Sequence, residues 1–399
     1  MPATARRQLS DLRGAGKLLF DATAGIVDVV ERMHRTIERR PGVIGQPVVE
    51  ATRGITGFVY RTVRGSTRLI GDGFDTVLSP LEQWSPPVAS SPGRDVFVSI
   101  LNGVYGDHLE STGNPLAIAM EIQSDGEPLV PSETYAHFAS AGIDAPAGRL
   151  MVLVHGLCMS VQQWAHEGVD RAACLGRELG YTPLHLRYNS GLSIAENGRQ
   201  FARLLEELVE HWPRPVEELV LVGHSMGGLV ARSACHYGET QRHPWRRSLR
   251  SVVFLGTPHH GAPLERGGHG FDTLLGLSPY SAPFARLGNA RSAGIKDLRA
   301  ARLTDAGDGF VPLPEDVDCY AIAATLGSRR DLLAERLVGD GLVPLDSALG
   351  RHRDRERCLR FAKTHQWVTY RTGHLDLLHQ PEVYAQLRGW LQPRDVARA

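Results

Sequence analysis

The chain has 399 residues, with 42% hydrophobic, 22% charged and 7% aromatic residues, the balance of an ordinary globular protein and not of a disordered or collagenous one. Lys+Arg and Asp+Glu both total 44, and zero net charge argues against nucleic acid as the main partner, since neutralising phosphates needs a basic excess. Five scattered cysteines (Cys158, Cys174, Cys235, Cys319, Cys358) form no C-x-x-C pair and no metal-ligand spacing, and read as reduced thiols.

The first twenty residues contain no apolar run of secretory length, so no signal peptide is expected. No stretch of about 18 residues is free of charge, which argues against a spanning helix. A cytoplasmic protein is expected, and the uneven charge adds contact with the inner face of the membrane as an option. Residues 1–70 hold 12 basic and 6 acidic side chains, net +6, against −6 for the remainder. Leu19, Ala22, Ile26, Val30, Met33 and Ile37 predict one amphipathic helix within 16–39; Val59, Val63, Leu69, Ile70, Phe74 and Val77 predict a second within 55–77. Residues 16–77 read either as a hairpin lying on anionic lipid or as helices packed on the body or on a second subunit; the latter is favoured, because amphipathicity is the ordinary mark of a packed helix. A Pro/Ser-rich stretch at 84–93 places a boundary between an N-terminal helical extension, 1–90, and a catalytic domain, 94–393.

Beyond that boundary, 95–101, 116–122 and 150–154 are strand candidates. Helix is then expected near 161–179, strand at 182–187, helix at 194–211, strand at 218–223, helix at 226–238 and strand at 251–256. A Gly/Ser/Pro-rich insertion at 262–315 carries Phe271, Leu274, Leu275, Leu277, Tyr280, Phe284 and Leu287 and reads as a lid, or as helices that complete the fold. Strands at 318–324 and 366–370 and a helix at 382–391 follow. This alternation predicts an α/β fold, a mostly parallel central sheet with helices on both faces.

The chemistry concentrates at Gly223-His224-Ser225-Met226-Gly227-Gly228. A buried strand, G-x-S-x-G and a small-residue helix start are the setting of a nucleophile elbow, in which Ser225 occupies a strained turn. An oxyanion needs donors, expected from the amides of Met226 and of Leu157, the latter in the loop after the strand at 150–154. His155 in that loop is assigned to shaping it. The general base is expected late in the chain after the last strand, which selects His374 over His365 and His379. The orienting acid has two candidates in the repeated GDG motif, Asp308 and Asp340. Asp340 is favoured because it follows the strand at 318–324, whereas Asp308 lies in the insertion.

These motifs, with Gly256-Thr257-Pro258-His259-His260-Gly261, Asp340-Gly341-Leu342-Val343 and Gly373-His374-Leu375-Asp376, resemble α/β-hydrolases of the bacterial lipase type and the related GPI-inositol-deacylase-like esterases. The resemblance covers roughly 148–392. It implies an α/β-hydrolase fold, Ser225 as nucleophile, Asp340 as acid, His374 as base, in the usual Ser, Asp, His order, and Leu157 and Met226 as oxyanion amides. Some of these lipases hold calcium near the histidine, and Asp376 and Gln380 have the corresponding spacings; the other oxygen ligands that calcium needs are not identifiable, so a capping acid and a surface glutamine are favoured. His259, His260 and His269 are read as a structural loop without a metal. No organic cofactor is implied.

The reading is a serine-dependent carboxylic ester hydrolase acting on a hydrophobic or lipid ester. An acyltransferase with the same triad, a membrane-peripheral lipid-binding protein on a hydrolase fold, and a peptidase are the alternatives.

Overall fold

A computed structural model describes residues 92–142, 146–262, 292–306, 310–328 and 339–392. The helices expected within 16–39 and 55–77, the linker at 84–93 up to residue 91, and most of the 262–315 insertion lie outside the described residues. The chain divides into two compact units, Met1–Ile118 with Glu265–Ser292, and Ala119–Leu264 with Ala293–Ala399.

In the first unit, Pro92–Ser111 form helix α1, where a strand was expected at 95–101. The run Val96-Phe97-Val98 with Ile100 and Leu101 is buried on all sides, and such a run has no period by which strand and helix can be told apart. Asn102, fully buried, decides the packing: its amide donates to the carbonyls of Val98 (2.8 Å) and Leu116 (2.7 Å), and its carbonyl accepts from the Ile118 amide (2.9 Å).

The second unit carries eight strands in one sheet, in the order β2-β1-β6-β3-β7-β8-β9-β10. An antiparallel hairpin, β1 (Glu121–Ser124) and β2 (Glu127–Leu129), forms one edge. Its turn is Asp125-Gly126, both at positive φ, the geometry that matches strand twist and that favours Asp-Gly. The parallel strands are β3 (Arg149–Val154), β6 (Thr182–Arg187), β7 (Glu218–His224), β8 (Leu249–Leu255), β9 (Asp318–Thr325) and β10 (Gln366–Tyr370). Between β3 and β6 the expected long helix is replaced by a single 3-10 turn at Val161–Trp164, a short ribbon of β4 (Ala165–His166) and β5 (Val169–Asp170), and α3 (Arg171–Glu178). Ahead of β3 lies the short helix α2 (Thr134–Ser140). The remaining helices are α4 (Ile194–Glu210), α5 (Met226–Thr240), α6 (Ala293–Ala300), α7 (Leu345–Ala348) and α8 (Pro381–Leu391).

Alternate residues of the strands serve opposite layers. Met151, Leu153, Val220, Val222, Val253, Leu255 and Ile322 pack with Leu175 of α3 and Val383 and Leu387 of α8, while α5 lies on β3, β7 and β8 and is covered by α4. Both faces being covered, the central strands read as continuous apolar runs. At the amino edge, Glu218 of β7 accepts from Arg149 of β3 (2.8 Å), Arg250 of β8 (3.1 Å) and Tyr181 (2.8 Å), which ties the three central strands together. No helix among the described residues is long and apolar enough to cross a membrane.

Asn102→Leu keeps the volume but leaves the Leu116 carbonyl and Ile118 amide without partners. Buried polar groups cost about 1–3 kcal/mol each when stranded, so urea unfolding should show a loss of roughly 2–6 kcal/mol; an unchanged midpoint would contradict this packing role.

Candidate active site

Chain order and strand order reverse at β3: the chain goes from β3 to β6 on one side and then to β7 on the other. Such a switch point opens a crevice at the carboxyl ends of the strands. Register makes the ends level, since Val154 pairs with Gly223 and His224 with Leu255. The residues that follow β3, β7 and β8 therefore emerge side by side.

Ser225 leaves β7 at φ 54°, ψ −125° and immediately starts α5. A serine there is strained, and the turn is held by the Ser225 amide, which donates to Leu255 of β8 (2.8 Å). The neighbouring glycines permit the approach. A Cβ on Gly223 would meet the Gly228 backbone at 2.5 Å, and one on Gly227 would overlap the carbonyl oxygens of Val154 and His155. Ser225 is 8% exposed.

The loop after β3 lies against this turn: a Cβ on Gly156 would be 3.1 Å from the Ser225 Cβ. Leu157 is the next residue, and Met226 is the first residue of α5, where unpaired amides and the helix dipole favour negative charge. Neither amide donates to a partner among the described residues. The loop itself is pinned from the β6 side, by the Tyr188 hydroxyl donating to the His155 carbonyl (2.7 Å) and the Cys158 amide donating to the Ser190 hydroxyl (3.1 Å). His155 stacks on Tyr188 at 4.4 Å, and its Nδ1 donates to the Gly156 carbonyl (2.9 Å). Burial pushes its imidazole down to about 4, so a neutral ring shapes the loop.

His374 follows β10 and Asp340 follows β9. The Leu326 amide bonds to the Gly339 carbonyl (2.9 Å), which returns the chain to the sheet in front of Asp340. There His374 Nδ1 donates to Asp340 Oδ2 at 2.7 Å, the two side chains being 3% and 1% exposed. The other carboxylate oxygen accepts the amides of Leu342 (3.0 Å) and Val343 (2.8 Å). The His374 amide donates to the Asp340 carbonyl (3.1 Å), so the two loops are joined by main chain as well as side chain. Gly256, at φ 57° directly after β8, leaves the space beneath: a Cβ there would be 3.3 Å from both Asp340 Oδ2 and His374 Cε1. The pair thus lies over the end of β8, beside the serine turn.

Of the residues proposed from sequence, Ser225, Leu157, Met226, Asp340 and His374 come to one end of the sheet. Asp308 lies outside the described residues, as does His269. His365 packs on Tyr320 at 4.2 Å and His379 stacks on His166 at 4.8 Å, away from the acid. Asp376 accepts the Gly373 amide (2.9 Å) and closes the turn that carries His374, and the Gln380 amide donates to the Asp376 carbonyl (2.9 Å). No group of three or more His, Cys, Asp or Glu side chains able to hold a metal ion occurs among the described residues. His259 instead accepts at Nδ1 from the buried guanidinium of Arg232 on α5 (2.9 Å), and its amide bonds the Ser347 carbonyl on α7 (3.2 Å). The 256–261 loop thereby ties the serine helix to the segment following the acid.

Two residues had no reading from sequence. His224 occupies the variable position of G-x-S-x-G, which the motif leaves unspecified, and Arg232 is a basic residue on a buried helix face whose partner is distant in sequence.

A largely parallel eight-stranded sheet with one antiparallel strand, a strained serine after β7, an acid after β9 and a histidine after β10 define one architecture. The fold is that of an α/β-hydrolase. The family model of the PGAP1-like alpha/beta domain matches residues 195–297, from α4 into the insertion. Among solved structures, the chain is similar to the mature lipase BlEst2 of Bacillus licheniformis, with 20% identity over 62% of this chain and 94% of that one and a TM-score of 0.43. It is also similar to EstA of Clostridium botulinum (13% identity, 74% of this chain, 97% of that one, TM-score 0.42) and to a hyperthermophilic esterase of the archaeon Pyrobaculum calidifontis (14%, 79%, 96%, 0.41). No curated protein matches the sequence.

Within the α/β-hydrolase fold, Gly227 makes the closest approach to neighbouring main chain among the glycines of the serine turn. Alanine is a better helix former than glycine, yet its Cβ would strike main-chain oxygens that cannot yield. Gly227→Ala should lower the melting temperature by several degrees or abolish soluble expression, a cost of roughly 3 kcal/mol or more; a melting curve within 1 °C of wild type, a margin of about 0.3 kcal/mol or less, would refute the packing described.

Proposed function

We propose that the protein is a serine-dependent carboxylic ester hydrolase acting on hydrophobic esters. The observation that carries this reading is the buried His374–Asp340 hydrogen bond of 2.7 Å placed beside a serine in a strained strand-to-helix turn.

In this reading Ser225 attacks the ester carbonyl while His374 Nε2 accepts its proton. Asp340 bonds Nδ1, which leaves Nε2 as the basic nitrogen, and its charge stabilises the imidazolium that forms. Its second oxygen is occupied by the Leu342 and Val343 amides, so the carboxylate keeps one orientation through the cycle. The Leu157 and Met226 amides receive the tetrahedral oxyanion. The imidazolium then protonates the departing alcohol, leaving an acyl-serine. Water, activated by the same imidazole, attacks the acyl-serine and releases the acid. No step requires a cofactor.

The apolar character of the substrate is supported by the sequence between β8 and α6, where Phe271, Leu274, Leu275, Tyr280 and Phe284 occur within a short stretch.

A fluorophosphonate probe that traps activated serines tests the reading. The wild type should be labelled, Ser225→Ala should not, and hydrolysis of an aryl ester by Ser225→Ala or His374→Ala should fall by roughly 10⁴-fold or more, because the three residues act as a unit. Asp340→Asn, which takes away the charge and the fixed tautomer, should cost about 10³–10⁴-fold. Labelling of Ser225→Ala at the wild-type rate would end the assignment. Aryl esters of rising acyl length should be cleaved faster at eight carbons than at two; the reverse order would remove the apolar substrate.

A further inference from the structure

His224 is fully buried, and its Nε2 lies 3.0 Å from the backbone carbonyl of His374. A carbonyl can only accept, so Nε2 carries the hydrogen, and a neutral imidazole then has a bare Nδ1. That Nδ1 is buried and has no partner among the described residues. It lies at the β3 loop, 3.3 Å from where a Cβ on Gly156 would stand. The His224 and His374 rings are 4.7 Å apart at 46°.

We propose that His224 is a positioning residue for the base: its donated hydrogen bond anchors the His374 main chain to the same strand end that presents Ser225. The inference rests on the catalytic reading above. A stranded Nδ1 is unfavourable, and an apolar side chain of similar size would avoid it. What the imidazole supplies in return is the donor to His374.

Because His224 directly precedes Ser225, nucleophile and base are fixed to one piece of β7, and a shift of that strand carries both. Electrostatics agree with the arrangement. Burial, and after it the neighbouring His374, with His379 and His155 also facing the ring, hold His224 well below the usual histidine range. It is therefore neutral when His374 becomes the imidazolium, and no second cation opposes the proton transfer.

Two amides separate this role from simple packing. The glutamine Nε2 reaches about as far as the imidazole Nε2, whereas the asparagine amide stops near the Nδ1 position. In the full-length chain, His224→Asn should lower the fluorophosphonate rate constant about 10- to 100-fold, the order expected when a reacting group is misplaced by about 1 Å. The end-point amplitude, which counts folded sites, should stay complete, and KM for a short aryl ester should remain about the same while kcat falls. His224→Gln should stay close to the wild-type rate. Asparagine at the wild-type rate, or glutamine as slow as asparagine, overturns the proposal. A direct reading needs no variant: nitrogen NMR of the wild type should show His224 neutral and protonated on Nε2 throughout the neutral pH range, and an Nδ1-protonated or titrating ring overturns it even where the asparagine variant fails to fold. If the wild type takes no label, or Ser225→Ala labels equally, the catalytic reading fails, and the NMR result still decides whether the hydrogen bond exists.

Discussion

A serine held at φ 54°, ψ −125° costs about 1–3 kcal/mol relative to an ordinary torsion, and the chain around Ser225 is arranged so that the turn cannot relax. Its amide is fixed to Leu255, and helix α5 starts at the next residue. The absence of side chains at Gly223 and Gly227 lets α5 approach the ends of β3 and β7 at main-chain distance, and at Gly228 it leaves room for the Thr257 side chain after β8. Each of these features concerns a different element, yet all serve one torsion. The three central strands meet it at a common level because Glu218 gathers Arg149 and Arg250 at the opposite end of the sheet.

Around that turn the histidines divide by environment. His155 and His224 are buried away from any carboxylate, and desolvation keeps them neutral, so each offers one donor and spends it on a backbone carbonyl. His374 is equally buried, but its Nδ1 bonds the Asp340 carboxylate and not a backbone carbonyl. Two rings serve the frame, and in the proposed mechanism the third moves the proton, the difference lying in its carboxylate partner and not in the imidazole itself.

Much of this was legible in the sequence. The strands at 182–187 and 366–370 were read to the residue, and β3, β7, β8 and β9 to within one or two, because long apolar runs between glycines and helical periods leave little choice. The local motif G-H-S-M-G-G announces its own turn, since Gly223 and Gly227 are where side chains cannot be. Asp340 was set apart from Asp308 by its place after a strand, and it is hydrogen-bonded to His374. What failed was local pattern without period: 95–101 is buried on all sides and belongs to a helix that Asn102 ties to a distant segment. The 161–179 stretch breaks into a ribbon, with Glu167 and Gly168 at positive φ, despite its helical periodicity. His224 and Arg232 had no signal, because their partners, His374 and His259, lie 150 and 27 residues away.

The closure at Leu326 and Gly339 has a consequence for how such a chain can change. The end of β9 and Gly339 are joined by one main-chain hydrogen bond, and Asp340 is then oriented by its own turn through Leu342 and Val343. The carboxylate is therefore held by a short run of chain from Gly339 to Val343 and by His374, each contact made at the carboxylate or its own main chain. A change elsewhere in the chain that leaves this run and its closure at Leu326 in place leaves the carboxylate on its histidine.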